Sequence, residues 1–395
     1  MTTTNGESFI DIDCRQQAKF GQYVSGDVFL THNLRAEGRI ISVISDGLGS
    51  GAKANVLATL TATMAMKYTA SYVDLRRSAA TIMDTLPICA VRKISYATFT
   101  IVDLDAEGSC RVIEHGNPPF ILLRRGQEVP VEKRTMALDH WKDRIISYAN
   151  FRMALGDRIV YFSDGVSQSG LGRTGMPLGW ERQNVVTFLR NATLREPDVS
   201  AQRLAEQVRA QSLENDGQRA KDDISCGVIY FRRPRRLLVI TGPPFSKSRD
   251  GELAELARTF PGRKAICGGT TASIVAERLG RKVTMDLSQL DPAIPPPSKM
   301  EGVDLITEGT LTLARVAELL QSGVTPRQSP RNAAGALVNL MLESDIVEFV
   351  VGTRINEAHQ DPNVPVELDL RRNIIRKIAE LLESRYLKKP SVRFV

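Results

Sequence analysis

The chain has 395 residues, of which 42% are hydrophobic and 25% are charged, and its formal net charge at pH 7 is +7. This composition is typical of a soluble globular protein, and the length is sufficient for two domains with buried cores. Because no apolar run reaches the roughly 18 residues that span a bilayer, no signal peptide precedes Phe9 and the basic residues form no long stripe, we expect a cytoplasmic protein without membrane or nucleic-acid partners.

The first part of the chain reads as one domain. Runs rich in β-branched and aromatic residues predict strands near 8–15, 26–32, 39–45, 95–103, 110–115, 119–124, 144–151, 158–163 and 224–231. Stretches rich in Ala, Leu and Met predict helices near 52–71, 76–91 and 199–213. Strands in blocks, separated by helices, indicate an α+β domain with antiparallel sheets over 1–233.

The segment Arg232-Arg233-Pro234-Arg235-Arg236 is predicted to be the boundary between two domains. Proline ends the strand before it, and four arginines are not expected to enter a core together. A solvated linker is the favoured interpretation, and a short basic patch for nucleic acid is the alternative.

Strands and helices alternate after this boundary. Strands are predicted over 237–241, 264–267, 282–285 and 303–307, and helices over 252–259, 271–279, 311–321, 332–343 and 367–386. Such alternation indicates a smaller α/β domain with a mainly parallel sheet over 234–395. The last helix carries an apolar stripe that is expected to pack on its own domain, with a partner helix as the alternative: Leu368, Ile374, Ile375, Ile378, Leu381 and Leu382.

The cysteines are scattered singly along the chain. None of them forms the close pairs that structural zinc and redox sites use, so we interpret all of them as reduced thiols: Cys14, Cys89, Cys110, Cys226 and Cys267.

Acidic residues stand at the ends of predicted strands. Asp46-Gly47 and Asp164-Gly165 each follow an apolar run, Asp27 opens another strand, and Asp222-Asp223 precedes the last strand of the domain. Mg2+ and Mn2+ prefer such oxygen ligands and keep several waters. Two ions about 3.5 to 4 Å apart activate a shared water and hold the oxygens of a phosphoryl group. We therefore expect the acidic residues to form one metal cluster.

Each of these features also has an ordinary structural explanation. Asp-Gly is a common turn, and Asp27 alone could cap one. His115 could act as a general acid, but it precedes Gly116-Asn117-Pro118-Pro119, which is typical of a connection between strands. Gly49 and Gly51 could form a phosphate-binding loop, but the lysine and hydroxyl residue of a P-loop are absent there.

Taken together, five motifs in order resemble a known family. They are Gly26-Asp27, Asp46-Gly47-Leu48-Gly49-Ser50-Gly51, Gly116-Asn117-Pro118-Pro119, Ser163-Asp164-Gly165 and Asp222-Asp223-Ile224-Ser225. This series resembles the metal-dependent protein serine/threonine phosphatases (PPM family), in the bacterial branch that includes stage II sporulation protein E. The resemblance covers about residues 8–233. It implies two central antiparallel sheets flanked by helix pairs, and hydrolysis of phosphoserine or phosphothreonine on a bacterial regulatory protein.

The resemblance also implies roles for individual residues. Asp46 would bridge two Mg2+ or Mn2+ ions, the Gly47 carbonyl would bind one, and Asp164 and Asp222 would complete the other. Asp27 would serve the second ion, directly or through water. The catalytic set is thus Asp46, Asp164 and Asp222. Asp223 is a weaker candidate ligand that would act mainly on its neighbours. Ions of this kind are held weakly, and we expect their loss when no metal is added.

Two departures from the family pattern concern the substrate. No basic residue stands out as an anchor for the substrate phosphate, and Asp27 is followed by apolar residues rather than by the common serine. An inactive phosphatase-fold protein that binds a partner is therefore kept as the alternative to an active enzyme.

The second domain carries a glycine-rich turn between a strand and a helix, Gly268-Gly269-Thr270-Thr271. Exposed backbone N–H groups at such a turn form a natural anion site. Gly242-Pro243-Pro244 and Glu308-Gly309-Thr310 end other strands of the expected parallel sheet. A domain that senses a small anionic ligand and regulates the phosphatase is one interpretation. A structural role, including formation of a homodimer, is the other.

Overall fold

A computed structural model describes residues 8–85, 97–138, 141–287, 291–354 and 364–395. The chain folds into two compact units, Met1–Arg233 and Pro234–Val395. Among the described residues, no helix is both long and apolar enough to cross a membrane.

The strands and helices of the first unit come in blocks along the chain. Its strands are β1 (Phe9–Gln17), β2 (Asp27–Leu34), β3 (Arg39–Gly47), β4 (Ala97–Asp105), β5 (Ser109–His115), β6 (Ile121–Arg124), β7 (Gln127–Glu128), β8 (Arg134–Leu138), β9 (Trp141–Arg152), β10 (Arg158–Phe162) and β11 (Ile224–Arg232). Its helices are α1 (Ala52–Ala70), α2 (Leu75–Thr85), α3 (Asp164–Ser167), α4 (Glu181–Arg195) and α5 (Ala201–Asn215).

These strands form two antiparallel sheets. Their orders are β1-β11-β10-β6-β7 and β2-β3-β4-β5-β9-β8. Side chains alternate between the two faces of a strand, so Ile44 packs with Tyr161 and Ile229 of the other sheet, whereas Val43 packs with Ala62 of α1. Helices α4 and α5 cover the outer face of the first sheet. The predicted α+β architecture, two sheets between helical layers, is confirmed.

Some predicted boundaries of the first unit were incomplete. Helix α4 was not predicted, because its buried side chains are few among many polar ones. Strand β8 was also missed, and β9 extends beyond the predicted 144–151. The predicted helix 76–91 corresponds to α2 up to Thr85, and its remainder lies outside the described residues.

The expectation of a fully solvated arginine segment was wrong at Arg232. This residue ends β11, is buried, and lies over the Phe9 ring at 4.7 Å while forming an ion pair with Asp11 at 3.3 Å. Within the segment 232–236, only residues 233–235 lie outside strands. An aromatic ring and a carboxylate together accommodate a guanidinium that could not be buried alone.

The second unit contains β12 (Arg236–Thr241), β13 (Arg263–Cys267), β14 (Thr284–Met285), β15 (Ser298–Met300), β16 (Val303–Thr307), β17 (Ile346–Val351) and β18 (Lys389–Phe394). Its helices are α6 (Asp250–Thr259), α7 (Gly269–Leu279), α8 (Thr310–Ser322), α9 (Ala333–Glu343) and α10 (Val364–Ser384).

One sheet runs through the second unit, in the order β14-β15-β16-β13-β12-β17-β18. The pairs from β16 to β18 are parallel, and β14 and β15 join antiparallel at one edge, so the predicted mainly parallel α/β domain is confirmed. Helices α6 and α7 cover one face, and α8, α9 and α10 cover the other. Ile375, Ile378 and Leu382 of the apolar stripe are buried in this core, as expected.

Candidate functional site

Two predicted ligands lie opposite each other in one sheet. In the antiparallel pair β2 and β3, Asp27 is the register partner of Asp46. Directly opposed residues have Cβ atoms about 4.5 to 5.5 Å apart, so both carboxylates occupy the same end of the same face. The following glycine continues this pairing, because the Gly47 N–H donates to the Gly26 carbonyl at 3.3 Å.

The other two predicted ligands lie at adjacent strand ends in the second sheet. Asp164 begins α3 directly after β10, and Asp222 stands just before β11. The two strand ends are joined at Ser163, whose N–H donates to the Ser225 carbonyl at 3.1 Å. The amide of Gln168 donates to Asp164 Oδ2 at 2.8 Å and fixes the direction of that carboxylate.

The four carboxylates meet between the sheets, at Asp46. Burial raises the pKa of Asp46 to about 10, and the charges of its neighbours Asp27, Asp164 and Asp222 add to the rise. Burial also raises the pKa of Asp164, again with a contribution from the charge of Asp222. Buried carboxylates that also repel one another indicate a site built for positive charge.

Asp27 is the most deeply buried of these residues. Its side chain is only 2% exposed, and neither carboxylate oxygen receives a hydrogen bond within the described residues. Burial raises its pKa to about 7, and the nearby hydroxyls of Ser163 and Ser225 offset part of this rise. A carboxylate buried this deeply, with only two hydroxyl groups nearby, is costly unless a cation satisfies it.

The residues present therefore fit divalent cations. Among the described residues, no group of three or more acidic, histidine or cysteine side chains is placed so that all of them could hold one metal ion. Mg2+ and Mn2+ keep several waters and need only one or two carboxylates each, so an open acidic cluster suits them. Whether Gly47 contributes its carbonyl remains a prediction.

Glycine is required after both key aspartates by close backbone approach. A Cβ on Gly47 would lie 2.2 Å from the Ala54 carbonyl oxygen of α1, and a Cβ on Gly165 would lie 2.1 Å from the Asp223 carbonyl oxygen. Both distances are well below the 3.0 Å that real Cβ contacts respect. Packing thus demands glycine at both positions, at the end of β3 and in the first turn of α3.

Asp223 supports the loop before β2. Its Oδ1 accepts a hydrogen bond from the backbone N–H of Lys19 at 3.0 Å, and its Oδ2 lies against Gly26. This position suits the weaker, supporting role expected for Asp223.

Lys19 is a residue that the sequence reasoning missed. Its ammonium lies 3.7 Å from Asp222 Oδ1, and the side chains of the two residues are 40% and 44% exposed. The sequence does not indicate this basic residue beside the cluster, because nothing local links position 19 to position 222.

The remaining motif lies beside the cluster without contributing a ligand. The Asn117 amide donates to the Thr100 hydroxyl at 3.1 Å, and Thr98, which contacts Gly116, is the register partner of Asp46. His115 packs near the Phe99 ring with centroids 5.6 Å apart.

Comparison with known proteins agrees with this geometry. Residues 36–232 match the model of the stage II sporulation protein E (SpoIIE) family. This part of the chain belongs to the SpoIIE family. A curated member, stage II sporulation protein E of Bacillus subtilis (strain 168), is 26% identical over 204 residues. The alignment covers 50% of this chain but only 24% of that relative, so the chain spans about a quarter of its length.

Solved structures of the SpoIIE family and its relatives include two similar ones. The PP2C phosphatase domain of SpoIIE from Bacillus subtilis, with a fragment of its regulatory domain, has 20% identity and a TM-score of 0.48, covering 58% of this chain and 65% of that one. The RsbU and RsbW domains of Rv1364c from Mycobacterium tuberculosis have 18% identity and a TM-score of 0.47, covering 64% and 68%. The family match confirms the resemblance, and the first unit is a PP2C-type phosphatase domain.

The candidate anion site of the second unit lies at a helix start. Gly268 precedes α7, Gly269 and Thr270 begin the helix and are exposed, and Thr271 is buried. Its role as a ligand site remains a prediction.

Proposed function

We propose that the first unit hydrolyses phosphoserine or phosphothreonine on a protein, using two Mg2+ or Mn2+ ions. The observation that carries this proposal is the meeting of Asp27, Asp164 and Asp222 around Asp46 between the two sheets. An inactive family member would gain stability by losing these like charges, so their retention favours an active enzyme over a binding protein.

The roles follow from position. Asp46, at the centre, would be shared between the two ions, with Asp164 and Asp222 on one side and Asp27 on the other. When bound, such a pair of ions supplies a water of lowered pKa and neutralises the phosphoryl oxygens. Gln168 orients Asp164, and Asp223 holds the loop that carries Lys19. Phosphorylated regulatory proteins are the substrate class that the family resemblance supports.

The direct test is metal-dependent release of phosphate from peptides. We expect the full chain to hydrolyse phosphoserine and phosphothreonine peptides in Mn2+ or Mg2+, and to lose this activity in EDTA. Recovery on adding metal back controls for unfolding. No release under any divalent metal, from a chain that is folded by circular dichroism, would favour the inactive binding protein instead.

Lys19 is the residue we propose as the anchor of the substrate phosphate. The loop is held by backbone hydrogen bonds: the Lys19 N–H donates to the Asp223 carboxylate, and the Phe20 N–H donates to the Ala220 carbonyl at 2.8 Å. Replacing the Lys19 side chain should therefore leave the loop in place. We expect Lys19→Ala to raise KM for a phosphopeptide about tenfold with little change in kcat, because a charge-assisted hydrogen bond contributes about 1.5 to 3 kcal/mol.

Lys19→Arg is the matched control and should keep KM within about threefold, since it retains the cation. Mn2+ titration, which measures metal affinity, tests the alternative role of Lys19 as a counter-charge to Asp222. If Lys19 only offsets the charge of Asp222, Lys19→Ala would tighten Mn2+ binding and leave KM unchanged.

A further inference from the structure

Two helices of the second unit begin side by side. Helix α7 starts after Gly268 and α8 starts after Gly309, and neither helix has a side-chain cap. A Cβ on Gly309 would lie 3.5 Å from the Gly268 Cα, and the Gly268 N–H donates to the Thr307 carbonyl at 2.9 Å. The two helix starts are therefore in direct backbone contact at the carboxyl edge of the parallel sheet.

This arrangement concentrates positive potential. Each helix start carries roughly half a positive charge on N–H groups that lack partners within the helix. Two starts in contact reinforce each other, and an anion between them would satisfy both. Without an anion, the N–H groups at both helix starts lack partners within their helices.

Buried hydroxyl groups supply an independent observation. Thr312 lies in the first turn of α8, is 0% exposed, and its hydroxyl oxygen has no hydrogen-bond partner within the described residues, whereas Thr307 ends β16, is 2% exposed and has the Cys267 thiol as its neighbour. A buried hydroxyl without a partner destabilises the fold, because no hydrogen bond replaces the ones it made to water. Both residues lie within three positions of Gly309, Thr307 at the end of β16 and Thr312 in the first turn of α8.

The sheet extends this row of polar groups. Thr241, Cys267 and Thr307 are register partners on adjacent strands, and the Thr241 hydroxyl is buried and unpaired as well. Burial raises the pKa of the Cys267 thiol to about 12, so it brings no negative charge. Glu308 is the acidic residue next to these groups, and it is exposed to water, which screens its charge.

Space for a ligand exists in front of α7. A Cβ added at Gly269 would meet no atom within 4 Å, although Gly269 is the first residue of the helix. We propose that the starts of α7 and α8, together with the hydroxyls of Thr307 and Thr312, bind the phosphoryl group of a small phosphorylated ligand. This inference concerns the second unit alone and does not depend on the phosphatase activity.

The test is calorimetric titration of the full chain with pyrophosphate in EDTA, which removes any metal-mediated binding of phosphate at the acidic cluster. Gly269→Asp places a carboxylate at the helix start. It should leave the melting temperature equal or higher, because an acidic residue is favourable there, and should weaken pyrophosphate binding at least tenfold. Gly269→Ala fills the same space without charge and is the matched control, with binding within about threefold of the wild type.

Thr312→Val removes one hydroxyl at nearly constant volume. We expect it to raise the melting temperature of the ligand-free protein and to weaken pyrophosphate binding about threefold to tenfold. If Thr312 has only a structural role, the substitution would change the melting temperature and leave pyrophosphate binding unchanged. Tighter binding of ATP than of pyrophosphate would identify a nucleotide ligand, and tighter binding of ribose 5-phosphate than of phosphate would identify a sugar phosphate. Absence of pyrophosphate binding by the wild type, or equal binding by Gly269→Asp, would overturn the proposal.

Discussion

Replacing Asp46 by asparagine is expected to reduce Mn2+-dependent phosphopeptide hydrolysis by at least about a thousandfold, or about 4 kcal/mol of transition-state stabilisation. Asp46 is the carboxylate that approaches Asp27, Asp164 and Asp222 at once, so no other residue can replace it at the centre of the cluster. The same change should stabilise the metal-free protein, because it removes a buried acid from among like charges.

Both effects are measurable on one preparation. Phosphate release gives the activity, and thermal unfolding in EDTA should show a melting temperature a few degrees higher, which corresponds to about 1 kcal/mol. Asp105→Asn is the matched control. Asp105 ends β4, the strand on which Thr98 pairs with Asp46, and its Oδ1 accepts backbone hydrogen bonds that asparagine can also accept.

Activity and melting temperature together show whether the catalytic role of Asp46 or its effect on stability has been misassigned. Full activity of Asp46→Asn would refute the catalytic assignment of the cluster. Loss of activity together with a lower melting temperature in EDTA would mean instead that Asp46 holds the fold by a contact other than like-charge crowding. Asp105→Asn, by contrast, should keep both the activity and the melting temperature of the wild type.

Much of the site was predictable because its signals are local. A carboxylate directly after a strand, followed by glycine, can be read from a few residues, and the order of the motifs identifies the family. The sequence does not reveal that Asp27 faces Asp46, because the register of β2 and β3 depends on the packing of the whole sheet.

What the sequence did not disclose depends on contacts between distant residues. Lys19 reaches Asp222 only because β1 pairs with β11 and places their neighbouring loops together. The contact of Gly268 with Gly309 likewise needs β13 beside β16. Strand β18 was missed because it contains Pro390 and few apolar residues, and it is recognisable only through its parallel pairing with β17.

Arg232 shows that the burial of a charged side chain also cannot be predicted from its local sequence. A run of arginines indicates a solvated segment when each residue is considered alone. The ring of Phe9 and the carboxylate of Asp11 lie on β1, at the other end of the domain sequence, and they become neighbours of Arg232 only through strand pairing. Burial of a charged side chain is thus decided by partners that local patterns do not show.

The second large effect is expected from Gly165→Ala. The added Cβ would meet the Asp223 carbonyl oxygen at 2.1 Å, and a backbone atom cannot move aside as a flexible side chain can. Helix α3 must therefore shift away from β11, which separates Asp164 from Asp222. A displacement of about 1 Å at a catalytic group costs about a hundredfold in rate, and overpacking of this kind costs about 1 to 3 kcal/mol of stability.

Chemical denaturation and phosphopeptide hydrolysis measure these two losses, and Gly251→Ala provides the matched control. Gly251 lies in α6, where a Cβ meets no atom within 4 Å, so alanine there should stabilise the second unit by about 0.5 to 1 kcal/mol and leave activity unchanged. The contrast separates a steric requirement for glycine from a general effect of alanine. Wild-type stability and activity in Gly165→Ala would show that α3 does not lie against β11, and the pairing of Asp164 with Asp222 would then lose its structural basis.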